Sequence, residues 1–366
     1  MGCIVSPTAF HTAEPRLRHS DYVATLRPLL PAEAFRPNPR AFFPIALHIT
    51  IIVCGWIACR YLSRAWWPLI AIGIGNSLAC IAFLAHDFSH RSVTKSWTLL
   101  YPMEFVLLGL NLFPATLWRR LHAAHHAHTN GTNDPDRRFL ASELSLGGTI
   151  AAAALYPNNL KYNVGFWLQW FVYGLRHAIT ALFYSGASKP DCVTAKPPYR
   201  AGDRGWIAFE IICIAAWQIG LWLFLGAAVK LVVVTLIPVA ITSAVVSWYF
   251  YTNHCLNPID DGHDILAATT SVIVPTVCNK LHSNFGYHTE HHLFPNMNSA
   301  YYPLVSKLLQ THFPAHYQRI PISRAWSALL RNPIAASRRG AVAPGTAHGT
   351  SPAIAIPPSA EIAGAS

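Results

Sequence analysis

The chain has 366 residues, 52% of them hydrophobic and only 12% charged, about half the charge content of a typical soluble domain. With a mean hydropathy of +0.30, this composition excludes a disordered chain, a coiled coil and most soluble enzymes. Lys and Arg outnumber Asp and Glu by 27 to 16, a formal charge of +11. In so apolar a chain that excess points to basic loops beside a membrane rather than to nucleic-acid binding.

Residues 1–40 hold six prolines and mixed charges, which predicts a cytoplasmic N-terminal arm with at most short helices. Its start lacks the basic-then-apolar order of a secretory signal. Gly2, Cys3 and Ser6 fit a loose acylation pattern that arises by chance more often than by function. A membrane-crossing helix needs roughly 20 apolar residues. Residues 41–59, 65–85, 206–228 and 231–251 meet that need, the third with Glu210 as its one charge and the fourth with none. Short links at 60–64 and 229–230 join them as two hairpins. Two further apolar runs, 99–118 with Pro102, Glu104 and Pro114, and 164–184 with Arg176 and His177, are expected to lie in the interface or to re-enter it, because charge at mid-depth is costly. Residues 265–277 are too short to cross and are interrupted by Pro275. The tail, 332–366, is rich in small residues and proline and is expected to be disordered. Cys54, Cys59, Cys80 and Cys213 fall inside apolar runs as small hydrophobes, with no disulfide pattern. The predicted fold is therefore an all-α integral membrane protein: arm 1–40, membrane domain 41–331 with four transmembrane helices in two hairpins plus interfacial helices and a cytoplasmic histidine-box cap, and tail 332–366.

The chain has 19 histidines, and eight of them fall in three compact boxes: His86 and His90 in HDFSH, His122, His125 and His126 in HAAHH, and His288, His291 and His292 in HTEHH. On a helix, residues three and four apart share a face. The first box thus aims two rings one way, and each of the others offers up to three nitrogens to a common point. Eight imidazoles exceed what one metal ion binds, so two metals are implied. Isolated His11, His19, His48, His177, His312, His316 and His348 are read as packing residues. Boxes that share a metal site must face one side of the membrane. Two clear spans separate the second box from the third, preserving sidedness, whereas 99–118 lies between the first and second and must not cross. Arg91, Lys95, Arg119, Arg120, Arg137, Arg138 and Lys161 flank the boxes, and only Arg60, Arg64 and Lys230 occupy the hairpin links. The positive-inside rule places the boxes and both termini in the cytoplasm.

Together with WRRLHAAHHAHTN (residues 118–130), the DPD at Asp134–Asp136 and NFGYHTEHHLFPNM (residues 284–297), these boxes resemble the membrane fatty acid desaturase family over residues 42–314. The family signature is HxxxH or HxxxxH, then HxxHH twice, at membrane-proximal ends. The resemblance implies four spans, a cytoplasmic non-haem di-iron centre, O2 as oxidant and a long acyl chain as substrate. It also implies a ninth metal-binding histidine after the fourth span, matched by His254. Phe250 stands where the acyl-CoA branch has an Asn, and the three-residue gap in HDFSH suits the acyl-lipid branch better.

Asp87, Glu290, Asp134 and Asp136 are candidates to orient the rings through their free N–H groups; a turn in which Asp134 and Asp136 pair with Arg137 and Arg138 is the other reading. Trp66, Trp67, Trp206, Trp217, Trp248 and Tyr251 are candidates for the walls of an acyl tunnel. O2 activation needs two external electrons per turnover. The chain shows no His-Pro-Gly-Gly haem signature, no iron–sulfur spacing (Cys54 and Cys59 are followed by Leu62, where a third Cys would be needed) and no GxGxxG. A separate ferredoxin or cytochrome donor, with its reductase, is therefore expected at the basic face around Arg119, Arg120, Arg137 and Arg138. Acyl hydroxylation or acetylenation and carotenoid ketolation or hydroxylation use similar boxes and remain as alternatives. A metal transporter is more remote, because His48 is the only histidine within a predicted span.

Overall fold

The computed structural model describes residues 17–131, 133–136, 164–183, 199–257 and 264–331. The expectations for residues 1–16, Arg137, Arg138, Lys161 and the tail lie outside them. Helices α1 (His19–Leu26), α2 (Phe42–Tyr61), α3 (Trp67–Ser89), α4 (Trp97–Leu110), α5 (Ala115–Ala127), α6 (Val164–Phe183) and α7 (Asp203–Leu225) precede the long helical run α8 (Ala228–His254). Four stretches, Pro39–Tyr61, Arg64–Ser89, Asp203–Leu225 and Ala228–His254, are long and apolar enough to cross a membrane. The second and fourth outrun the predicted 65–85 and 231–251. An apolar run ends where polarity begins, but the helical backbone continues, so His86 and His254 ride on the last turns of the spans themselves.

Helix α3 is the centre of the bundle. About 67% of its apolar window is buried, against 17% for α7, and every residue from Ser77 to Phe88 is enclosed. Helix α2 buries only a seam of Ile45, His48, Ile52 and Cys59 and turns Phe43, Leu47, Ile51 and Ile57 outward. Such a continuous exposed apolar face suits lipid. Close approach of α3 to α8 depends on Gly75: a Cβ there would lie 2.8 Å from the Ile241 Cβ, and the Thr242 hydroxyl donates to the Gly75 carbonyl at 3.2 Å. A five-residue π-helical stretch, Val232–Leu236, sits just ahead of Pro238. Proline lacks the amide for an i→i−4 bond and crowds that carbonyl, which accounts for the widened turn.

The run 99–118 is not one helix. Helices α4 and α5 meet at 97° across residues 111–114, with Leu112 at φ 58° and Pro114 immediately before α5. Glu210, the single charge foreseen in the third span, explains the bend. Its carboxylate accepts from the Thr116 amide (2.9 Å), the Thr116 hydroxyl (2.7 Å) and the Tyr101 hydroxyl (2.9 Å), supplying acceptors at the start of α5. Arg120 makes a two-pronged pair with Asp203 at 2.8 and 2.9 Å, and Arg119 lies 3.5 Å from buried Glu104. Helix α6 packs on α8 through the Trp170 amide to the Ser243 hydroxyl (3.0 Å) and is not among the four crossing stretches.

After α8 come α9 (Ile265–Ala268), β1 (Ser271–Ile273), α10 (Thr276–Leu281), α11 (His288–Leu293), α12 (Tyr302–His312), β2 (Arg319–Pro321) and α13 (Ile322–Arg331). The parallel pair β1–β2, with Ser271 opposite Arg319, was not anticipated, since three-residue strands carry no readable alternation. The arm is no loose extension either. Tyr22, Leu26, Leu30 and Ala34 are buried against Leu293, Phe294, Met297 and Tyr302, and the Tyr22 hydroxyl donates to Asp264 at 3.0 Å.

Candidate metal centre

Nine histidines from four helix ends meet in two buried groups. His86 and His90 from α3, His122 and His126 from α5, and His291 from α11 place ring nitrogens within 4.8 Å of one another. His125 from α5, His254 from α8, and His288 and His292 from α11 do the same. Neither HxxHH box delivers all its rings to one point. At about 100° per residue, positions i and i+4 lie roughly 40° apart around the helix, while i+3 falls on the other side of i. His122 and His126 therefore serve the first group and His125 the second. On α11 the assignment is reversed, with His288 and His292 in the second group and His291 in the first.

The rings are fixed from behind. Asp134 places both carboxylate oxygens 2.9 Å from His125 Nδ1 and also accepts the Asn130 and Asp136 amides at 2.7 and 2.9 Å, which ties the DPD turn to the end of α5. Asp136 Oδ2 lies 3.4 Å from His125 Nδ1, and its other oxygen accepts from the Tyr173 hydroxyl at 2.6 Å. Asp87 Oδ1 is 3.6 Å from His86 Nδ1, beyond hydrogen-bond range. Glu290 is a correction to the sequence reading: it accepts from Ser271 at 2.5 Å and from the Tyr317 hydroxyl, so it braces α11 against the β1–β2 pair instead of orienting a ring. Two residues the sequence reading missed hold rings in its place. Tyr302 Oη is 3.1 Å from His291 Nδ1, and Thr129 Oγ1 is 3.2 Å from His292 Nδ1 while donating back to the His125 carbonyl. Thr129, four residues after His125, fits a back-bonding position at a helix end; no spacing rule points to Tyr302.

Burial, reinforced by neighbouring imidazoles, holds His90, His288, His291 and His292 well below the usual imidazole range. The rings are neutral and offer lone pairs, the form that binds metal. The residues fit a metal pair on their own geometry. His90 Nε2 and His122 Nε2 are 2.6 Å apart, and His254 Nε2 and His288 Nε2 are 2.7 Å apart. Such contacts can be paired by one proton at a time, but five and four converging nitrogens cannot all be satisfied that way, and neither His86 nitrogen makes a hydrogen bond. A cation within each group resolves the crowding, and all-imidazole donors suit iron, copper, zinc or nickel.

A narrow cavity runs beside both groups, edged by His86, His122, His125, His254 and His288. Its apolar walls are Trp118, Trp170, Val246, Phe250 and Phe285. None of the six aromatic residues expected to line a tunnel is among the residues lining this cavity. Trp66, Trp206, Trp217 and Trp248 are each about half exposed on the outer surface, and Trp67 and Tyr251 pack elsewhere in the protein core. Phe250 stacks obliquely on His254 with centroids 5.4 Å apart. Arg119 and Arg120, expected to attract a carrier, are half-buried and lie against Glu104 (3.5 Å) and Asp203 (2.8 Å) within the protein. Exposed positive charge near the site comes instead from Arg27, Arg91 and Lys95, around a cleft of about 640 Å³ that reaches His90.

The family model described as fatty acid desaturase matches residues 63–323. The chain is 25% identical over 301 residues to an sn-1 acyl-lipid omega-3 desaturase (ferredoxin) of Synechocystis sp., covering 74% of this chain and 76% of the relative. It is 26% identical over 302 residues to a sphingolipid delta(4)-desaturase/C4-monooxygenase of Mus musculus, covering 81% and 80%. A fatty acid conjugase of Calendula officinalis is 25% identical over 74% of this chain and 77% of its own length.

Proposed function

The chain belongs to the fatty acid desaturase family, and on that basis we propose that its two imidazole groups hold a pair of iron ions and that it introduces a C=C bond into a long, lipid-linked acyl chain, using O2 and two external electrons. The observation that carries this reading is the division of nine buried or half-buried imidazoles into adjoining groups of five and four beside an apolar cavity. Bound there, reduced iron would supply the activation of O2 needed to take hydrogen from an unactivated CH2, which no side chain achieves alone.

The protein's own residues do the positioning. Asp134, Thr129 and Tyr302 engage the Nδ1 atoms of His125, His292 and His291, which leaves Nε2 of each facing its group. Trp118, Trp170 and Phe285 keep the cavity dry and hold an extended chain against the histidine edges. We place the boxes and termini on the cytoplasmic side from loop charge. A separate ferredoxin or cytochrome would deliver the electrons, and the printed name of the Synechocystis relative mentions ferredoxin. A lipid-linked chain is supported by the names of that relative and of the mouse protein and by the three-residue gap of HDFSH. Because the mouse relative's name pairs a desaturase with a C4-monooxygenase, hydroxylation at the same residues is the second reading.

Lipids from a host expressing the protein together with a donor system, derivatised to locate new double bonds and hydroxyls, test the proposal. A new alkene that disappears in a His125→Ala variant is expected. An unchanged lipid profile from well-expressed protein with a working donor overturns it.

A further inference from the structure

A tunnel built for plain hydrocarbon needs no free hydrogen-bonding groups, yet this cavity has one besides its histidines. Its donors can be counted. The Trp118 indole N–H donates to Ser89 at 3.0 Å and that of Trp170 to the Asn111 carbonyl at 3.2 Å. The Tyr173 hydroxyl donates to Asp136, and the Ser247 hydroxyl donates to Gln169 Oε1 at 2.7 Å. Gln169 also lines the cavity, and its carbonyl end is held by Ser247, while its amide N–H groups donate to nothing among the described residues.

We propose that Gln169 is a specificity-determining residue: its amide donates to an oxygen of the substrate, a chain hydroxyl or the carbonyl of the acyl linkage, lying close to the carbons that pass the histidine groups. This rests on the desaturase reading and adds the class of chain that the site takes. The physics is asymmetric. An unsubstituted chain in this tunnel strips water from the amide and leaves its N–H groups unpaired, whereas a chain bearing an acceptor satisfies them. Sites that hydrogen-bond a substrate oxygen discriminate strongly against analogues lacking it. The position of that oxygen also fixes which carbons stop beside the two groups, so oxidation falls within a few bonds of it.

The test uses the full-length protein with its donor system and three lipids of equal chain length: ester-linked, ether-linked, and ether-linked with a hydroxyl near the head. Wild type is expected to prefer one of the oxygen-bearing chains over the plain ether by about tenfold or more in kcat/KM. Preference for the ester identifies the carbonyl, and preference for the hydroxylated ether identifies the hydroxyl. In Gln169→Leu, or in Gln169→Met if the first variant misfolds, the ratio should fall to within about threefold, with turnover of the plain chain retained. Ser243→Ala, which loosens the same pair of helices without touching Gln169, should keep the wild-type ratio. No preference in wild type, or a ratio unchanged in both Gln169 variants, overturns the proposal and leaves Gln169 as a helix-to-helix tie. If wild type oxidises none of the three chains, the desaturase reading fails. Retention of the same lipids by purified protein, read by native mass spectrometry, then decides the role of Gln169 by itself.

Discussion

With both oxygens 2.9 Å from His125 Nδ1, Asp134 decides which nitrogen of that ring faces the second group. An amide at this position can accept only through its carbonyl, and its NH2 opposes the ring N–H and the two backbone amides. Asp134→Asn should therefore weaken metal retention by roughly 10–100-fold against a chelator, as measured by elemental analysis of purified protein after dialysis. Wild-type retention would remove Asp134 from the site. His312, exposed at the end of α12, should tolerate Ala with metal content and turnover unchanged. At this scale the sequence was generous, because box spacing alone singles out eight of the nine imidazoles. Glu290 shows its limit. The carboxylate stands between His288 and the His291–His292 pair in sequence, but helical phase turns it toward Ser271 and Tyr317, and a partner distant in the chain cannot be read from spacing.

Between elements, two contacts carry much of the architecture. Gly75→Ala places a methyl 2.8 Å from the Ile241 Cβ, where no flexible tip can move aside. Overpacking of this kind typically costs about 1–3 kcal/mol, so a lower thermal midpoint is expected in detergent, partly restored by adding Ile241→Gly, which removes the opposing Cβ. Failure of the second change to compensate would show that the clash is relieved by other means. Glu210→Ala removes the acceptor shared by the Thr116 amide, the Thr116 hydroxyl and the Tyr101 hydroxyl. Each buried donor left unpaired costs about 1–3 kcal/mol. Because α5 carries three of the nine rings, we expect metal loss as well as a lower melting temperature, with Glu210→Gln intermediate. Full metal content in the Ala variant would mean that α5 is held without this cap. The sequence marked Glu210 as an anomaly in a span, but its partners lie near residues 101 and 116 and only folding brings them to it.

For the whole molecule, the two groups require that the C-terminal ends of α3 and α5 open to one side of the membrane, which the 97° bend between α4 and α5 permits. In a cysteine-free background, single cysteines at positions 95 and 120 should label from the same side. Labelling from opposite sides would make α4 and α5 a full crossing and would break the parity on which a shared centre depends. The four long apolar stretches, eight of the nine histidines and the family were legible in the sequence. Hydropathy is a property of contiguous residues, and helical periodicity repeats every few positions, so both survive in one dimension. Tertiary structure alone settled the five-and-four division of the rings, the aromatic walls of the cavity, the internal pairing of Arg119 and Arg120, and the docking of the arm through Tyr22. Each of these depends on the rotation of one helix against another that is remote in the chain. Packing fixes that angle, and no local pattern in the sequence encodes it.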